Sequence, residues 1–227
     1  MRTAPLVLFF SLVAVLSLHP QEATLYEEIL SRRGVTNQRI REAFLSVPRT
    51  PFIDEGMERY LDKDSEIPLA EGGFLIKPSM ALSCLLYLSP QPGDRCLVAG
   101  GNTGYMASLL ASICEDVSVI EESPERIEAS GGMIRSYASG SVSLSLKDDI
   151  AGVLESGNFD IIMLAGATET VPAVLLEHLS SGGTLLAPLE EPGGFQILIL
   201  VTRTGDGSYR IRALRDCFFP DFGDPVP

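Results

Sequence analysis

Residues 97–105 read LVAGGNTGY, an apolar run that ends in a glycine-rich turn and passes into a segment of helical character. A strand that delivers its carboxyl end into such a turn is where an open α/β sheet holds a nucleotide-like ligand. Glycine lets the backbone come close to a ligand, and amides at a helix start can donate to it. The turn lacks the G-x-G-x-x-G spacing of a dinucleotide site, and no G-K-S or G-K-T run is present to cradle a triphosphate. A nucleoside carrying a short tail is the ligand class that remains.

The segments around this turn set the fold. From Ser79 onward helix and strand alternate: helix SMALSCLLYL (79–88), strand RCLVA (95–99), helix YMASLLASI (105–113), strand VSVI (117–120) and helix PERIEASGGMIRSY (124–137). Strands VSLSL (142–146) and FDIIML (159–164), helix TVPAVLLEHL (170–179) and strand GTLLAPL (183–189) continue the pattern. Alternation of this kind predicts a Rossmann-like, mostly parallel sheet with helices on both faces. FQILILVTR (195–203) and SYRIRAL (208–214) flank Thr204-Gly205-Asp206-Gly207, which predicts a closing antiparallel hairpin. Upstream, TLYEEILSRRG (24–34) reads as a helix stopped by Gly34. Thr36 can cap a second helix, whose Ile40, Ala43, Phe44 and Val47 follow helical spacing. Residues 49–77 then form an irregular stretch too long for a passive connection, which predicts a lid or binding segment.

Four features converge on the carboxyl edge of such a sheet. The first strand ends in the loop of Gly100, Asn102 and Gly104. The second ends in Glu121, about 20 residues on, where an acid accepts hydrogen bonds from ribose hydroxyls. The third ends in Lys147-Asp148-Asp149, where a side-chain carboxylate can meet the exocyclic amine of a base. The fourth ends in Ala165-Gly166-Ala167, small enough to leave room for a ligand. Together they point to S-adenosyl-L-methionine as the cofactor class.

Composition narrows the partners. The chain has 227 residues, 45% hydrophobic and 21% charged, enough for one folded α/β domain with a sizeable core. Its net charge is −13, without a block of lysines or arginines, so nucleic acid is a poor partner. Cys84, Cys96, Cys114 and Cys217 form no C-x-x-C pair and have no nearby histidines, so no metal site is expected. Residues 1–23, MRTAPLVLFFSLVAVLSLHPQEA, hold Arg2 and then an uncharged apolar stretch, as in a secretory signal peptide or an uncleaved N-terminal anchor. That predicts an exported protein, periplasmic or membrane-anchored, touching a membrane only through this segment. The remainder divides into a helical extension and loop (24–77), a cofactor-type core (78–190) and a C-terminal hairpin and tail (191–227).

RIREAFLSVPRTPFI, EIPLAEGGFLIKPSMA, DRCLVAGGNTGYMASLLA and FDIIMLAGATETVPAVLLEHLSSGGTLLAPL occur in an order and spacing that resembles the protein-L-isoaspartate O-methyltransferase family. The likeness runs from about Ile29 to the CFFPDF segment (217–222). It implies a methyltransferase-type fold and methyl transfer from S-adenosyl-L-methionine to the α-carboxylate of isoaspartyl residues in damaged proteins, the first step of their repair. It also implies cofactor contacts at Gly100, Asn102, Gly104, Glu121 and Asp148. The chain departs from the family pattern at named places. Val98 stands where the family has a strand-end acid and Asn102 where it has a glycine. Phe74 and Ile76 stand where it has a threonine and the serine associated with catalysis, which leaves the catalytic residue unassigned. Because the family's cofactor is a cytoplasmic metabolite and the leader is of export type, a second reading stays open: a catalytically silent exported member that binds a peptide or small ligand.

Overall fold

The structure is a computed structural model that describes residues 19–70, 72–100 and 103–221. Helix α1 (Pro20–Arg32) and helix α2 (Gln38–Ser46) lead into two short 3-10 turns and a two-stranded ribbon, β1 (Ile67–Pro68) and β2 (Phe74–Leu75). Then follow α3 (Pro78–Leu88), β3 (Arg95–Ala99), α4 (Tyr105–Ala111), β4 (Asp116–Glu121), α5 (Pro124–Tyr137) and β5 (Ser141–Leu146). Next come α6 (Ile150–Glu155), β6 (Phe159–Leu164) and α7 (Ala173–Glu177). The chain closes on β7 (Leu179–Glu191), β8 (Phe195–Arg203) and β9 (Tyr209–Cys217).

The large sheet has the order β5-β4-β3-β6-β7-β8-β9. Pairing is parallel from β5 to β7 and antiparallel across β7, β8 and β9, so the expected parallel core and closing hairpin are both present. Strand alternation assigns each face. Cys96 and Val98 of β3 enter one apolar cluster together with Ile161, Met163, Leu186, Leu198 and Leu200. Leu97 and Ala99 enter the other with Ile162, Leu164, Leu185, Ala187, Ile199 and Val201. Each fully buried aliphatic side chain of this kind contributes about 1.5–3 kcal/mol, which is why the strands read as continuous apolar runs. The chain winds outward from β3 through β4 to β5 and then returns to lay β6 on the other side of β3. The crevice beyond the carboxyl ends of β3 and β6 is therefore the switch point where such sheets take ligands.

Local departures from the sequence expectation have physical reasons. The second helix is capped by Asn37, whose side chain accepts from the Ile40 amide at 3.3 Å, and not by Thr36. An additional helix, α6, follows Asp149, with Ile150 and Leu154 buried one turn apart; six residues are too few for a clear periodic signal. The helix expected over 170–179 shrinks to Ala173–Glu177 because β7 already begins at Leu179. Of the leader expected over residues 1–23, residues 1–18 lie outside the described residues. Its boundary at Ala23 falls inside α1, where Glu22 is fully buried. Among the described residues no helix is long and apolar enough to cross a membrane.

Candidate functional site

The loop after β3 keeps the ladder going into the turn: the Gly100 amide donates to the Ile120 carbonyl at 2.9 Å, and the Ala165 amide to the Ala99 carbonyl at 2.9 Å. Gly100 and Gly104 both have φ near +75°, a left-handed backbone that side chains resist. At Gly104 the reason is also spatial. A Cβ there would lie 2.9 Å from the Ser130 Cβ and 3.0 Å from Ile134, so α5 packs directly on the turn. The Thr103 hydroxyl accepts from the Tyr105 amide at 3.2 Å and pins the entry into α4. Asn102 lies outside the described residues, so its expected cofactor contact has no geometry here.

Glu121 closes β4, one strand away from Gly100. It is 1% exposed, and its Oε1 has no hydrogen-bond partner among the described residues. Burial pushes its carboxyl up to about 7, with the Arg126 guanidinium pulling in the opposite direction. A buried carboxylate oxygen without a donor is costly unless something supplies one. Two ribose hydroxyls would do so, and a nucleoside laid across the β3 and β4 ends fits this residue. Asp148 sits two residues past Leu146, the register partner of Glu121, in the 3-10 turn Lys147–Asp149, and is exposed. Gly100, Glu121 and Asp148 thus lie in a row along the carboxyl edge, as the sequence implies. Val98 is fully buried among apolar side chains and supplies no charge to that row.

The other half of the crevice is apolar. Phe74, Leu75 and Ile76 come from the irregular stretch and meet Thr103, Tyr105 and Met106 of the α4 entry, with Ala165 and Pro220 closing the far wall. The space left between them is about 10 Å³, roughly room for one water. Ile76 is 5% exposed. Lys77 pairs with Glu66, its Nζ 3.6 Å from Oε1. The Tyr105 hydroxyl is buried and engaged with the Tyr26 hydroxyl at 2.9 Å; burial raises its titration well above the ordinary tyrosine range.

Two supports for this half are not signalled by any single motif. Arg49 is completely buried and donates to four carbonyls, those of Ser65 (2.9 Å), Lys63 (3.0 Å), Tyr60 (3.3 Å) and Leu61 (3.4 Å). Its backbone amide and the Thr50 hydroxyl donate to the Glu22 carboxylate, so α1 and the loop into β1 are fastened at one point. The second support is the C-terminal strap. Gln196 clasps Phe219 in both directions, at 2.7 and 3.1 Å, and the Ala167 amide donates to the Pro220 carbonyl at 2.7 Å. This clasp sets Phe218 face to face with Phe74, ring centroids 4.5 Å apart and planes 9° apart. Phe218 lies in the CFFPDF segment of the family resemblance, yet a contact across 144 positions of sequence leaves no spacing to read. Among the described residues no cluster of His, Cys, Asp and Glu is arranged to hold a metal ion, and all four cysteines are free.

The family described as protein-L-isoaspartate(D-aspartate) O-methyltransferase matches residues 21–224. A protein-L-isoaspartate O-methyltransferase of Roseiflexus castenholzii is 32% identical over 79% of the chain and 82% of its own length. One from Pelotomaculum thermopropionicum is 29% identical over 86% of the chain and 84% of its own length. Among solved structures, one titled protein-L-isoaspartate O-methyltransferase superposes with a TM-score of 0.77 at 21% identity, over 90% of this chain and 67% of that one. A Plasmodium falciparum protein described by the same activity, in complex with S-adenosyl-L-homocysteine, superposes with a TM-score of 0.73 at 21% identity, over 88% of this chain and 97% of that one.

Proposed function

The chain belongs to the protein-L-isoaspartate(D-aspartate) O-methyltransferase family, and from that premise we propose that it transfers a methyl group from S-adenosyl-L-methionine to the α-carboxylate of isoaspartyl residues in damaged proteins. The observation that carries this reading is the buried, partnerless Oε1 of Glu121 at the strand end where a ribose diol would donate.

When bound, the cofactor supplies an electrophilic sulfonium methyl. The chain's own residues do the rest. Gly100 and Gly104 would keep the loop close to the cofactor, Glu121 would accept from its ribose hydroxyls, and Asp148 would accept from its base amine. The acceptor carboxylate has an ordinary titration near 4 and is ionised at neutral pH, so no general base is needed. Ile76, Met106 and Pro220 exclude water from the acceptor pocket, and rate comes from holding donor and acceptor in line. With Ile76 in place of a hydroxyl residue, orientation of the acceptor falls to shape instead of hydrogen bonding.

Localisation belongs to the same proposal. Residues 1–18 act as an export leader or anchor, and any processing falls before Glu22, since its loss would leave the Arg49 guanidinium buried without its acid. N-terminal sequencing of the fractionated protein tests this; a mature chain beginning after Ala23 would contradict it. The silent-member reading has no observation of its own in support. The activity test is labelled methyl transfer to an isoaspartyl peptide beside its aspartyl twin. Label in the isoaspartyl peptide alone is expected, and equal blanks with cofactor bound would overturn the reaction.

A further inference from the structure

Phe218 is 55% exposed although it is aromatic, and its ring is stacked in parallel on Phe74, which itself lines the acceptor pocket. The strap that carries it is fixed before Phe218 by the pairing of Cys217 with Gln196 and after it by the Gln196 clasp at Phe219 and the Ala167 bond to Pro220. An exposed ring held this rigidly adds little to a core. Its outer face is a preorganised apolar surface continuous with the pocket, and binding there orders few new rotamers.

We propose that Phe74 and Phe218 form an aromatic platform that selects isoaspartyl sites carrying an aromatic side chain next to the damaged residue. The inference rests on the reading of the cleft as a methyl-acceptor site. An isoaspartyl carboxylate entering beneath Phe74 carries its chain neighbours across the rim, and the first side chain on one flank meets the Phe218 ring. A planar apolar side chain gains a stacked contact there and loses little conformational freedom, whereas serine gains neither. Phe74 occupies the position where the resemblance implies a threonine, so the platform is a feature of this chain's own residues.

The test uses the full chain and two probes read separately. Fluorescently labelled isoaspartyl peptides that differ only by Phe or Ser at one of the two positions flanking the damaged residue are titrated by anisotropy, with S-adenosyl-L-homocysteine present. The Phe peptide is expected to bind about threefold to tenfold more tightly than its Ser twin at one flank. Phe218→Ala brings that ratio to about one and Phe218→Tyr keeps it; Phe218→Leu, which preserves bulk without a ring, falls between. Urea midpoints of the three variants show that the ratio is measured on folded protein. A ratio near one in the unmodified protein at both flanks overturns the platform, as does a ratio that survives Phe218→Ala. Methyl transfer is assayed in parallel. Transfer without discrimination overturns the platform and leaves the activity standing, while discrimination without transfer supports the platform and overturns the activity.

Discussion

The two halves of the crevice differ in what they leave unsatisfied. On the nucleoside side, a carboxylate oxygen is buried without a donor and two glycines hold a backbone that other residues resist. On the acceptor side, mostly apolar side chains fill the space until about one water fits, and the hydroxyls of Tyr105 and Thr103 are both engaged. The first half offers a buried acceptor oxygen to a polar ligand; the second is tightly packed and lacks the hydroxyls that the family resemblance implies. Substitution relative to the family pattern has fallen on both halves, Val98 and Asn102 on the one and Phe74 and Ile76 on the other, and because these residues differ, cofactor binding and acceptor choice can be tested separately.

The comparison breaks most completely at the point that fastens the acceptor half. Arg49→Met removes a buried guanidinium that serves four carbonyls and leaves the buried Glu22 carboxylate without its counter-charge, at an expected cost of about 3–5 kcal/mol. Urea denaturation reads it directly, and a loss under about 1 kcal/mol would show that the loop stands without its fastener. Next in size is Glu121→Gln. Unfolded, the carboxyl titrates near its ordinary value; folded, near 7. The empty site thus favours the neutral form. Stability is fully present below about pH 4.5 and is lost as pH rises through about 7. Glutamine removes that loss, so at pH 8 the empty variant is expected to be about 2–3 kcal/mol more stable than the parent, and the slope of thermal midpoint against pH should flatten. The same change should weaken cofactor binding by roughly tenfold to a hundredfold, because a charge-assisted pair of hydrogen bonds is lost.

Gly104→Ala is a smaller break on the same side. A left-handed φ and a Cβ 2.9 Å from Ser130 cost about 1–3 kcal/mol, and relief requires α5 to move off the turn. Wild-type stability in this variant would mean that the turn adapts without strain. The mildest change sharpens the contrast from the acceptor side. Phe74→Thr with Ile76→Ser restores two hydroxyls beside Met106, and an isoaspartyl peptide without aromatic flanks should be methylated about threefold to tenfold faster. An unchanged rate would place the limiting step in the cofactor loop, where Val98 and Asn102 replace the family residues.

Legibility in the sequence followed the same divide. The parallel core was readable because its strands are short apolar runs bounded by glycine, proline and charge. β3, α5, β6 and β8 were bounded to the residue. Gly100, Glu121 and Asp148 were readable as a row because each ends a strand, and strand order alone aligns strand ends. The acceptor half was readable only by resemblance. Phe74 and Ile76 sit in an irregular stretch with no period, and what they meet comes from α4, β6 and the C-terminal strap. Glu22 illustrates the same limit. Close to an apolar leader it reads as part of one, yet its partners Arg49 and Thr50 lie across a tertiary contact that no local pattern announces.

Everything proposed for the nucleoside half converges on whether Glu121 still receives a ligand without an acid at Val98. Calorimetric titration of the full chain with S-adenosyl-L-methionine at pH 8 and again at pH 6 tests this most directly. Micromolar binding is expected at pH 8. It should weaken by up to about tenfold at pH 6, as the empty carboxyl takes up the proton that the bound form must release, and Glu121→Gln should abolish that pH dependence. No heat at millimolar cofactor, or binding equally tight at both pH values in the unmodified protein, would contradict the account.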